Sequence, residues 1–326
     1  MNTHSPILIV TSHPLSEVEY IVDELDNRKI SYKIIDPAAE ELKISVFGGK
    51  SAEISMSDGS SFRIDPGSSI FLWKFKQPSS PYLKTLPQAF QQFSRSSLRA
   101  AWESLLSIDA NWINRDASVK MIANNKCMQE NVARTIGIRP ICTTFTNDTD
   151  NFVNAVEQIE GDIAVKSPIS WHYWPNSFEN PFGTYTKKLS RKEALHCAPY
   201  VKYAPVLVQP YVNKKYELRV TVVGSRVFAC RIESQNSPRT RTDWRHYDFK
   251  NVPHLADKLS VDLESKLIDL TKHLGLVYSA IDLIVDENEM IHFVELNPTG
   301  HYGWIEKLTG LKITEAIVDT LLTGAN

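Results

Sequence analysis

Two apolar strand patterns near the C-terminus, each containing one carboxylate, constrain the fold of this chain more than any other feature. Residues 279–285 and 290–296 are apolar runs separated by the polar stretch 286–289, which predicts an antiparallel hairpin. Asp282 lies within the first run and Glu295 within the second. The pattern therefore predicts an antiparallel sheet that carries carboxylates among apolar side chains.

The register of this hairpin decides which polar side chains share a face. A symmetric turn places Asp282 opposite Phe293, and strand alternation then places Glu295 and Asn297 on the face of Asp282. Two carboxylates and an amide oxygen on one face repel each other unless a cation lies between them, and a hard ion such as Mg²⁺ prefers these ligands. A solvent-facing polar stripe is equally compatible with the spacing.

The N-terminal part of the chain predicts a β-α-β unit followed by short strands and a helix. The run 7–10 is fully apolar, as in a buried parallel strand, and apolar residues recur at helical spacing over 18–25 before a second strand at 32–35. Residues 43–72 indicate strands joined by glycine turns, and 86–106 indicate a helix. No G-x-G-x-x-G and no complete P-loop occurs here, so the unit is interpreted as a scaffold.

The middle of the chain alternates helix and strand patterns. A helix is predicted over 119–137, where a glycine ends it, and strands are predicted at 143–146 and 163–166 with a helix at 150–159 between them. Residues 167–188 are rich in aromatic side chains, which indicates either a mobile flap or a surface loop with apolar anchors.

The C-terminal part is the most regular. A strand at 206–209 precedes a hairpin of 216–223 and 226–234, which turns at a Gly-Ser pair. Helices are predicted over 257–274 and near 312–322, on either side of the carboxylate-bearing hairpin. The predicted fold class is α/β, with an N-terminal β-α-β domain at 1–110, a central lobe at 111–205 and a C-terminal antiparallel-sheet lobe at 206–326.

Composition excludes several classes of protein. The 326 residues contain 36 Lys and Arg against 38 Asp and Glu, and the resulting charge of -2 argues against a general nucleic-acid binder. No apolar stretch approaches the length of a membrane span, and the N-terminus lacks the pattern of a signal peptide. The four cysteines form no C-x-x-C pair. We therefore expect a cytoplasmic protein with reduced thiols that binds neither nucleic acid nor membrane.

Four further charged residues precede the hairpin. Lys126 lies within the predicted helix, and Lys166 ends an apolar strand, a position where lysine usually reaches the surface. Glu217 and Arg219 are two residues apart and share one face of their strand. Each of these features is unspecific when taken alone.

Taken in order, these features resemble those of the ATP-grasp ligases. A helix lysine, a strand lysine, a linker strand, an acid-x-Arg strand and an Asp…Glu-x-Asn hairpin follow one another over residues 111–300. The resemblance implies that the central and C-terminal lobes enclose ATP. It also implies that a carboxylate is activated as an acyl phosphate, which an amine or hydroxyl then attacks.

The resemblance assigns nucleotide-binding roles to six residues. It implies that Lys126 and Lys166 bind the phosphates and that Glu217 binds the ribose hydroxyls. The linker that binds adenine would contain Gln209, Tyr211 and Val212.

Metal-binding and catalytic roles follow in the same way. The resemblance implies that Asp282, Glu295 and Asn297 bind Mg²⁺ between the phosphates. Arg219 can contact the γ-phosphate or the acyl phosphate through its planar guanidinium. Arg245, in an Asp-Trp-Arg sequence, is placed to hold a carboxylate of the acceptor peptide in a bidentate manner.

A finer resemblance is to the graspetide, or microviridin-type, peptide maturases. It rests on residues 112–114, 123–129, 243–245 and 295–300, whereas 72–78 depart from the Trp-Tyr-Arg-Arg of that branch. It implies a ribosomal precursor peptide, leader plus core, as the substrate, ω-ester or ω-amide macrocyclic crosslinks as the product, and a homodimer. Two alternatives stay open: a ligase that adds a free amino acid or small peptide to a carboxylate, and a non-catalytic nucleotide-binding protein.

Overall fold

The computed structural model describes residues 6–12, 16–39, 41–169, 172–173 and 182–324. Within them, five sheets and the helices that cover them form the fold. The helices of the described residues are α1 (Ser16–Asn27), α2 (Gln88–Ser104), α3 (Asp116–Ile122), α4 (Lys126–Thr135), α5 (Thr149–Gln158), α6 (Arg191–Cys197), α7 (Val261–His273), α8 (Gly303–Thr309) and α9 (Ile313–Thr323).

The N-terminal segment contains a four-stranded parallel sheet. The interior strand Ile7–Val10 is apolar throughout because both faces of the sheet are covered. Ile7 and Ile9 lie in one core cluster, and Leu8 and Val10 lie in another. The predicted β-α-β unit is therefore present. In spatial order, the strands are Tyr32–Ile35, Ile7–Val10, Ser69–Leu72 and Asn111–Ile113.

The two faces of this sheet are covered differently. On one face, α1 packs with the C-terminal helix α9, so the first and last parts of the chain share one core that includes Ile21 and Ile317. The other face carries Trp102 of α2 and a small antiparallel sheet. The strands of that small sheet are Lys43–Phe47, Ser51–Ser55 and Ser61–Ile64.

The central lobe is an antiparallel sheet covered by α5 and α6. Phe152 and Ala194 from these helices are buried against Ile163 and Val208 of the sheet. Two further short strands, His172–Tyr173 and Phe182–Gly183, pair with each other nearby in sequence. In spatial order, the four strands of the lobe are Lys187–Leu189, Ile163–Lys166, Val206–Pro210 and Thr144–Thr146.

The C-terminal lobe is a five-stranded antiparallel sheet. Helices α4 and α7 cover one face, where Ala133 and Leu267 contact the buried Leu218 and Ile281. The strands are His254–Asp257, Arg226–Ile232, Lys214–Val223, Tyr278–Asp286 and Ile291–Asn297, in that spatial order. The last two of these strands are called the carboxylate hairpin below.

The predicted α/β fold class is confirmed, as are both C-terminal hairpins. The division of the chain at residues 110 and 205 stays a prediction. Strand Asn111–Ile113 pairs with the N-terminal sheet, and Val206–Pro210 pairs with the central one. In the described part of the chain, no helix is long and apolar enough to cross a membrane.

Two predicted helices are shorter than expected. The helix predicted over 119–137 is broken into α3 and α4, because Asn125 accepts a hydrogen bond from Met128 N and begins a new helix. Lys126 is therefore the first residue of a helix and not in the middle of one. The helix predicted over 257–274 begins only after Ser260, whose hydroxyl caps α7. Much of the predicted flap or surface loop, residues 170–171 and 174–181, lies outside the described residues.

Candidate active site

The carboxylate hairpin pairs in a different register from the predicted one. Leu283 pairs with Phe293, but Asp282 pairs with Glu295, so Val294 is an extra residue at a bulge. The prediction that Asp282 lies opposite Phe293 is wrong. Because the bulge inserts one residue, it places the two carboxylates directly opposite each other, which a regular ladder in the same register would not do.

A row of three charged residues crosses the sheet at this bulge. Arg219 pairs with Asp282 on one side, and Asp282 pairs with Glu295 on the other. Arg219 Nη1 donates to Asp282 Oδ2 over 2.7 Å. Burial raises the pKa of Asp282, an effect that Arg219 opposes. Asp282 Oδ1 and Arg219 Nε are buried and have no hydrogen-bond partner among the described residues.

Glu295 is surrounded by cations from the central and C-terminal lobes. Lys126 Nζ lies 2.6 Å from Glu295 Oε2, and Asn297 Nδ2 donates to Oε1 over 3.1 Å. Burial alone raises the pKa of Glu295, but the nearby charges of Lys126, Lys166 and Arg245 outweigh it and hold this pKa below its ordinary value. Burial also lowers the pKa of Lys166. The structure thus brings the two predicted phosphate-binding lysines to the predicted metal ligands.

Two buried amides hold the carboxylate hairpin in place. Gln129 accepts a hydrogen bond from Leu296 N over 2.9 Å and donates to Leu296 O over 3.0 Å. Asn114 donates to Tyr278 O and Pro298 O over 2.7 and 2.8 Å. Both residues were noted in the sequence only as part of a resemblance, and their structural role becomes evident from these contacts.

Glu217, the predicted ribose ligand, has a cationic partner that the sequence analysis missed. Lys214 Nζ lies 2.8 Å from Glu217 Oε1 and also donates to Thr242 O over 3.0 Å. Residues three apart in a regular strand face opposite sides of the sheet. A register shift between Lys214 and Tyr216 allows Lys214 and Glu217 to meet.

The three residues of the predicted adenine-binding linker have different surroundings. Tyr211 and Val212 line a cleft that Glu217 also lines. The Gln209 side chain is buried and donates to Thr143 Oγ1 over 2.5 Å. Tyr211 N donates to Asp162 O over 2.8 Å, which fixes the backbone of the linker. The backbone contact to adenine that the resemblance implies stays a prediction.

The side of the Arg245 guanidinium that can form two parallel hydrogen bonds already has a partner within the protein. Its Nε and Nη2 donate to the two carboxylate oxygens of Asp243 over 2.8 and 2.5 Å. Burial by itself raises the pKa of Asp243, but the contact with Arg245 outweighs burial and lowers this pKa to about 2. Asp243 also accepts a hydrogen bond from Thr186 N. The edge that was expected to hold a peptide carboxylate is therefore occupied by Asp243.

Two clefts meet at the charged row. The first contains Tyr211, Val212 and Glu217, and the second, of about 660 Å³, contains Lys74 and His301. Their shared lining is the most charged part of both. The residues common to the two clefts are Lys166, Trp244, Arg245, Asp282 and Glu295.

The donor set at this junction suits a magnesium ion. The described residues hold no group of three or more His, Cys, Asp and Glu side chains that could bind a metal. Asp282, Glu295 and Asn297 provide two carboxylates and an amide, and Mg²⁺ is commonly held by one or two carboxylates together with substrate phosphates. The unpartnered, buried Asp282 Oδ1 is a polar atom that such an ion would satisfy.

The part of the chain that forms most of this site matches a known family. Residues 118–321, which include nearly all of the site, match the RimK-like ATP-grasp domain. The chain belongs to the RimK-like ATP-grasp family. The identification as an ATP-grasp ligase that the sequence suggested is thereby confirmed. A comparison with curated protein sequences gave no match.

Several solved structures share the fold along nearly the whole chain. A Chryseobacterium gregarium RiPP-associated ATP-grasp ligase, in complex with ADP and a leader and core peptide, is 22% identical with a TM-score of 0.84, covering 99% of this chain and 98% of that one. The macrocyclase MdnC of Microcystis aeruginosa, bound with precursor peptide MdnA, is 24% identical with a TM-score of 0.77, covering 98% and 100%. The ATP-grasp ligase PsnB, with minimal precursor, Mg and ADP, is 19% identical with a TM-score of 0.76, covering 100% and 99%.

Proposed function

We propose that this protein is an ATP-dependent ligase that crosslinks side chains of a ribosomal precursor peptide. It would activate an Asp or Glu side-chain carboxylate as an acyl phosphate and join it to a hydroxyl or amine as an ω-ester or ω-amide. The observation that carries the proposal is the charged row Arg219–Asp282–Glu295 at the junction of two clefts. The related structures that hold nucleotide and peptide together support it.

In this proposal the first cleft binds ATP. Tyr211 and Val212 line its apolar part, where adenine would lie, and Glu217, oriented by Lys214, would accept the ribose hydroxyls. Lys126 now contacts Glu295, and we expect it to contact a phosphate when nucleotide is bound. Phosphoryl transfer needs positioning and charge neutralisation more than covalent chemistry, and these residues supply both.

Asp282, Glu295 and Asn297 would hold Mg²⁺. The ion, when bound, neutralises charge on the phosphates. Arg219 is fixed by Asp282 on the adjacent strand, so its guanidinium is already in place and loses little freedom when it contacts the transferred phosphoryl group. Its buried, unpartnered Nε is a further donor for that contact.

The second cleft would hold the peptide. Its volume of about 660 Å³ exceeds what a single amino acid fills, which favours a peptide over the free amino acid of the alternative ligase. Arg245, anchored by Asp243, lines both clefts and would lie between the nucleotide and the peptide. A homodimer and a cytoplasmic location belong to the same proposal.

Intact mass spectrometry tests this function directly. A candidate precursor peptide with its leader is incubated with the protein, ATP and Mg²⁺, and ADP release is measured in parallel. Loss of one water per bond with matching ADP supports the proposal. A gain of one amino-acid residue in the presence of free amino acids would establish the alternative ligase instead. ATP binding without turnover on any peptide would favour a non-catalytic nucleotide-binding protein.

A further inference from the structure

A chain of three ionisable side chains lies on the wall of the second cleft, outside the charged row. Glu17 Oε1 lies 2.9 Å from His301 Nδ1, and His301 Nε2 lies 2.5 Å from Lys74 Nζ. Glu17 is 1% exposed, whereas His301 and Lys74 line the cleft. The chain therefore runs from a buried carboxylate to an amine that faces the substrate space.

The three residues come from separate parts of the fold. Lys74 follows strand Ser69–Leu72 at the carboxyl edge of the parallel sheet, with a positive φ of 46° that is uncommon for a residue with a side chain. Glu17 lies in the first turn of α1, and His301 follows the carboxylate hairpin. Residues held in sparsely populated backbone conformations persist only where the surroundings determine them.

The hydrogen bonds of His301 select the tautomer of its neutral ring. Glu17 accepts only, so His301 Nδ1 carries the proton and donates it. His301 Nε2 is then an acceptor and receives a hydrogen bond from Lys74 Nζ. Glu17 also accepts from Gly303 N over 3.3 Å, which holds the carboxylate in position.

Lys74 is surrounded by groups that act on its charge from several elements. Burial lowers the pKa of Lys74, Arg219 lowers it further, and Glu17 raises it. His301 contacts it directly. The other charged residues that line the same cleft are Lys126, Lys166, Arg245, Asp282 and Glu295.

We infer that Lys74 is the residue that accepts the proton of the attacking group in the second half of the reaction, with His301 and Glu17 as positioning residues. This inference rests on the proposed function. The hydroxyl oxygen or amine nitrogen of the acceptor forms a bond to the acyl carbon. Its proton passes to the lone pair of neutral Lys74 Nζ, and phosphate leaves with the electron pair of the broken carbon–oxygen bond.

The N-terminal segment was interpreted from the sequence as a scaffold, and this inference gives it a part in catalysis. Activation of the carboxylate would use the nucleotide, the metal ligands and the residues that contact phosphate, which are Lys126, Lys166 and Arg219. Attack on the acyl phosphate additionally needs a group that removes a proton. The two half-reactions would thus depend on residues from different domains, which makes them separable by experiment.

Hydroxylamine separates the two half-reactions, because it attacks an acyl phosphate without assistance and leaves a hydroxamate. The full-length protein is assayed with precursor peptide, ATP and Mg²⁺, with and without hydroxylamine, by intact mass. For Lys74→Met we expect hydroxamate at the rate of the unchanged enzyme and at least about 100-fold slower crosslinking, the size of a general-base contribution. The exposed Lys76, two residues further on, provides the matched control Lys76→Met, which should crosslink normally.

Lys74→Arg distinguishes a proton acceptor from a simple cation. Arginine keeps the positive charge but does not lose a proton at working pH. If Lys74 accepts a proton, Lys74→Arg crosslinks as poorly as Lys74→Met. Recovery of crosslinking in Lys74→Arg would overturn the inference. So would normal crosslinking in Lys74→Met, or loss of hydroxamate in a folded Lys74→Met. Absence of both products in the unchanged enzyme would instead contradict the proposed function itself.

The positioning residues are tested by the pH profile of crosslinking. Glu17 raises the pKa of Lys74, so Glu17→Gln should lower this pKa and move the rising limb of the crosslinking rate to lower pH, while the hydroxamate profile stays unchanged. A purely structural role for Glu17 would leave the limb where it is and overturn this part of the inference. Because Glu17 is buried, its substitution can also disturb folding, so His301→Leu at a more exposed position is the second variant. His301→Leu should slow crosslinking and leave the rate of hydroxamate formation unchanged.

Discussion

At the scale of single residues, the site depends on how opposite charges share a buried face. Arg219, Asp282 and Glu295 form one row, and Lys126 completes it from a helix of another segment. Leaving one partner of a buried charge pair alone is strongly unfavourable, so these residues are structurally coupled before any ligand binds. The row thus holds the carboxylates and cations that would bind metal and phosphate together at one place before any ligand is present.

The metal assignment is tested by the double substitution Asp282→Asn with Glu295→Gln. Both changes keep the shape of the side chains but remove the two charges that would hold Mg²⁺. We expect a protein that is still folded by circular dichroism but melts at a lower temperature, because Arg219 and Lys126 lose their charged partners. ADP release should fall by at least about 100-fold, in line with the loss of electrostatic stabilisation in other enzymes. Glu289→Gln, in the exposed turn of the same hairpin, is the control. Normal ADP release in the double variant would contradict the assignment.

Gly300 shows how closely the backbone approaches the row. A Cβ at this position would lie 2.5 Å from Arg219 Nη2 and 2.5 Å from Ala280 Cβ. We therefore expect Gly300→Ala to displace Arg219, with lower ADP release and a lower melting temperature. Adding Ala280→Gly removes one of the two clashes, so the pair should recover part of the melting temperature but not ADP release. Wild-type ADP release in Gly300→Ala would mean that Arg219 has another productive position.

At the scale of elements, the outermost strand of the C-terminal sheet is protected by side chain and loop contacts. Strand Ile291–Asn297 is the last strand of its sheet, and the Gln129 side chain covers its outer edge by hydrogen bonds to Leu296 N and O. Phe293 N donates to Arg139 O over 2.7 Å on the same edge. Covered edges keep unpaired backbone groups from water and from other chains. Here the covering also fixes the strand that carries Glu295 and Asn297.

Gln129→Met tests this covering. The substitution keeps the volume but leaves the N–H and C=O of Leu296 without their partner, which costs about 1–3 kcal/mol for each unsatisfied group. We expect the free energy of unfolding in urea to fall by that order, and ADP release to fall with it because the hairpin is less fixed. Asn131→Met, on the exposed face of the same helix, should change neither quantity. Equal stabilities of the two variants would show that Gln129 is dispensable.

At the scale of the whole molecule, the first and last segments of the chain form one core. Helix α9 packs against α1, and Asp319 of α9 forms ion pairs with Arg28 and Arg226 at 2.5 and 2.9 Å. The same arrangement brings Lys74 and Glu17 of the N-terminal segment to His301. The N-terminal segment and the C-terminal sheet should therefore unfold together.

Ile317→Ala tests this shared core. Ile317 is fully buried between the two segments, and truncation of such a side chain costs about 2–5 kcal/mol. We expect hydrogen exchange to accelerate by similar factors in α1 and in strand Tyr278–Asp286. Val261→Ala, at a position that is 84% exposed, is the control and should leave hydrogen exchange unchanged in both elements. Acceleration confined to α9 would mean that the two segments are energetically independent.

The sequence alone determined most of the elements and the types of residue at the site. Residue patterns identified the first two parallel strands and both hairpins, and the order of lysines and acids indicated the family, whereas strand Asn111–Ile113 was not predicted. These features are local, so spacing along the chain is enough to recognise them. Lys166 at a strand end and the pair Glu217 and Arg219 on one strand face lie where the spacing predicted.

Only the tertiary structure decided which of these residues meet. The bulge at Val294 aligns Asp282 with Glu295, and the register shift after Lys214 brings Lys214 to Glu217. A single inserted residue reverses the face on which the following side chains lie, and it leaves no clear signal in the amino-acid composition. Contacts between distant segments, such as that of Lys74 with His301, depend on how the sheets pack, which residue spacing does not encode. The chemistry of the site was therefore readable in the sequence, whereas its geometry follows from long-range packing.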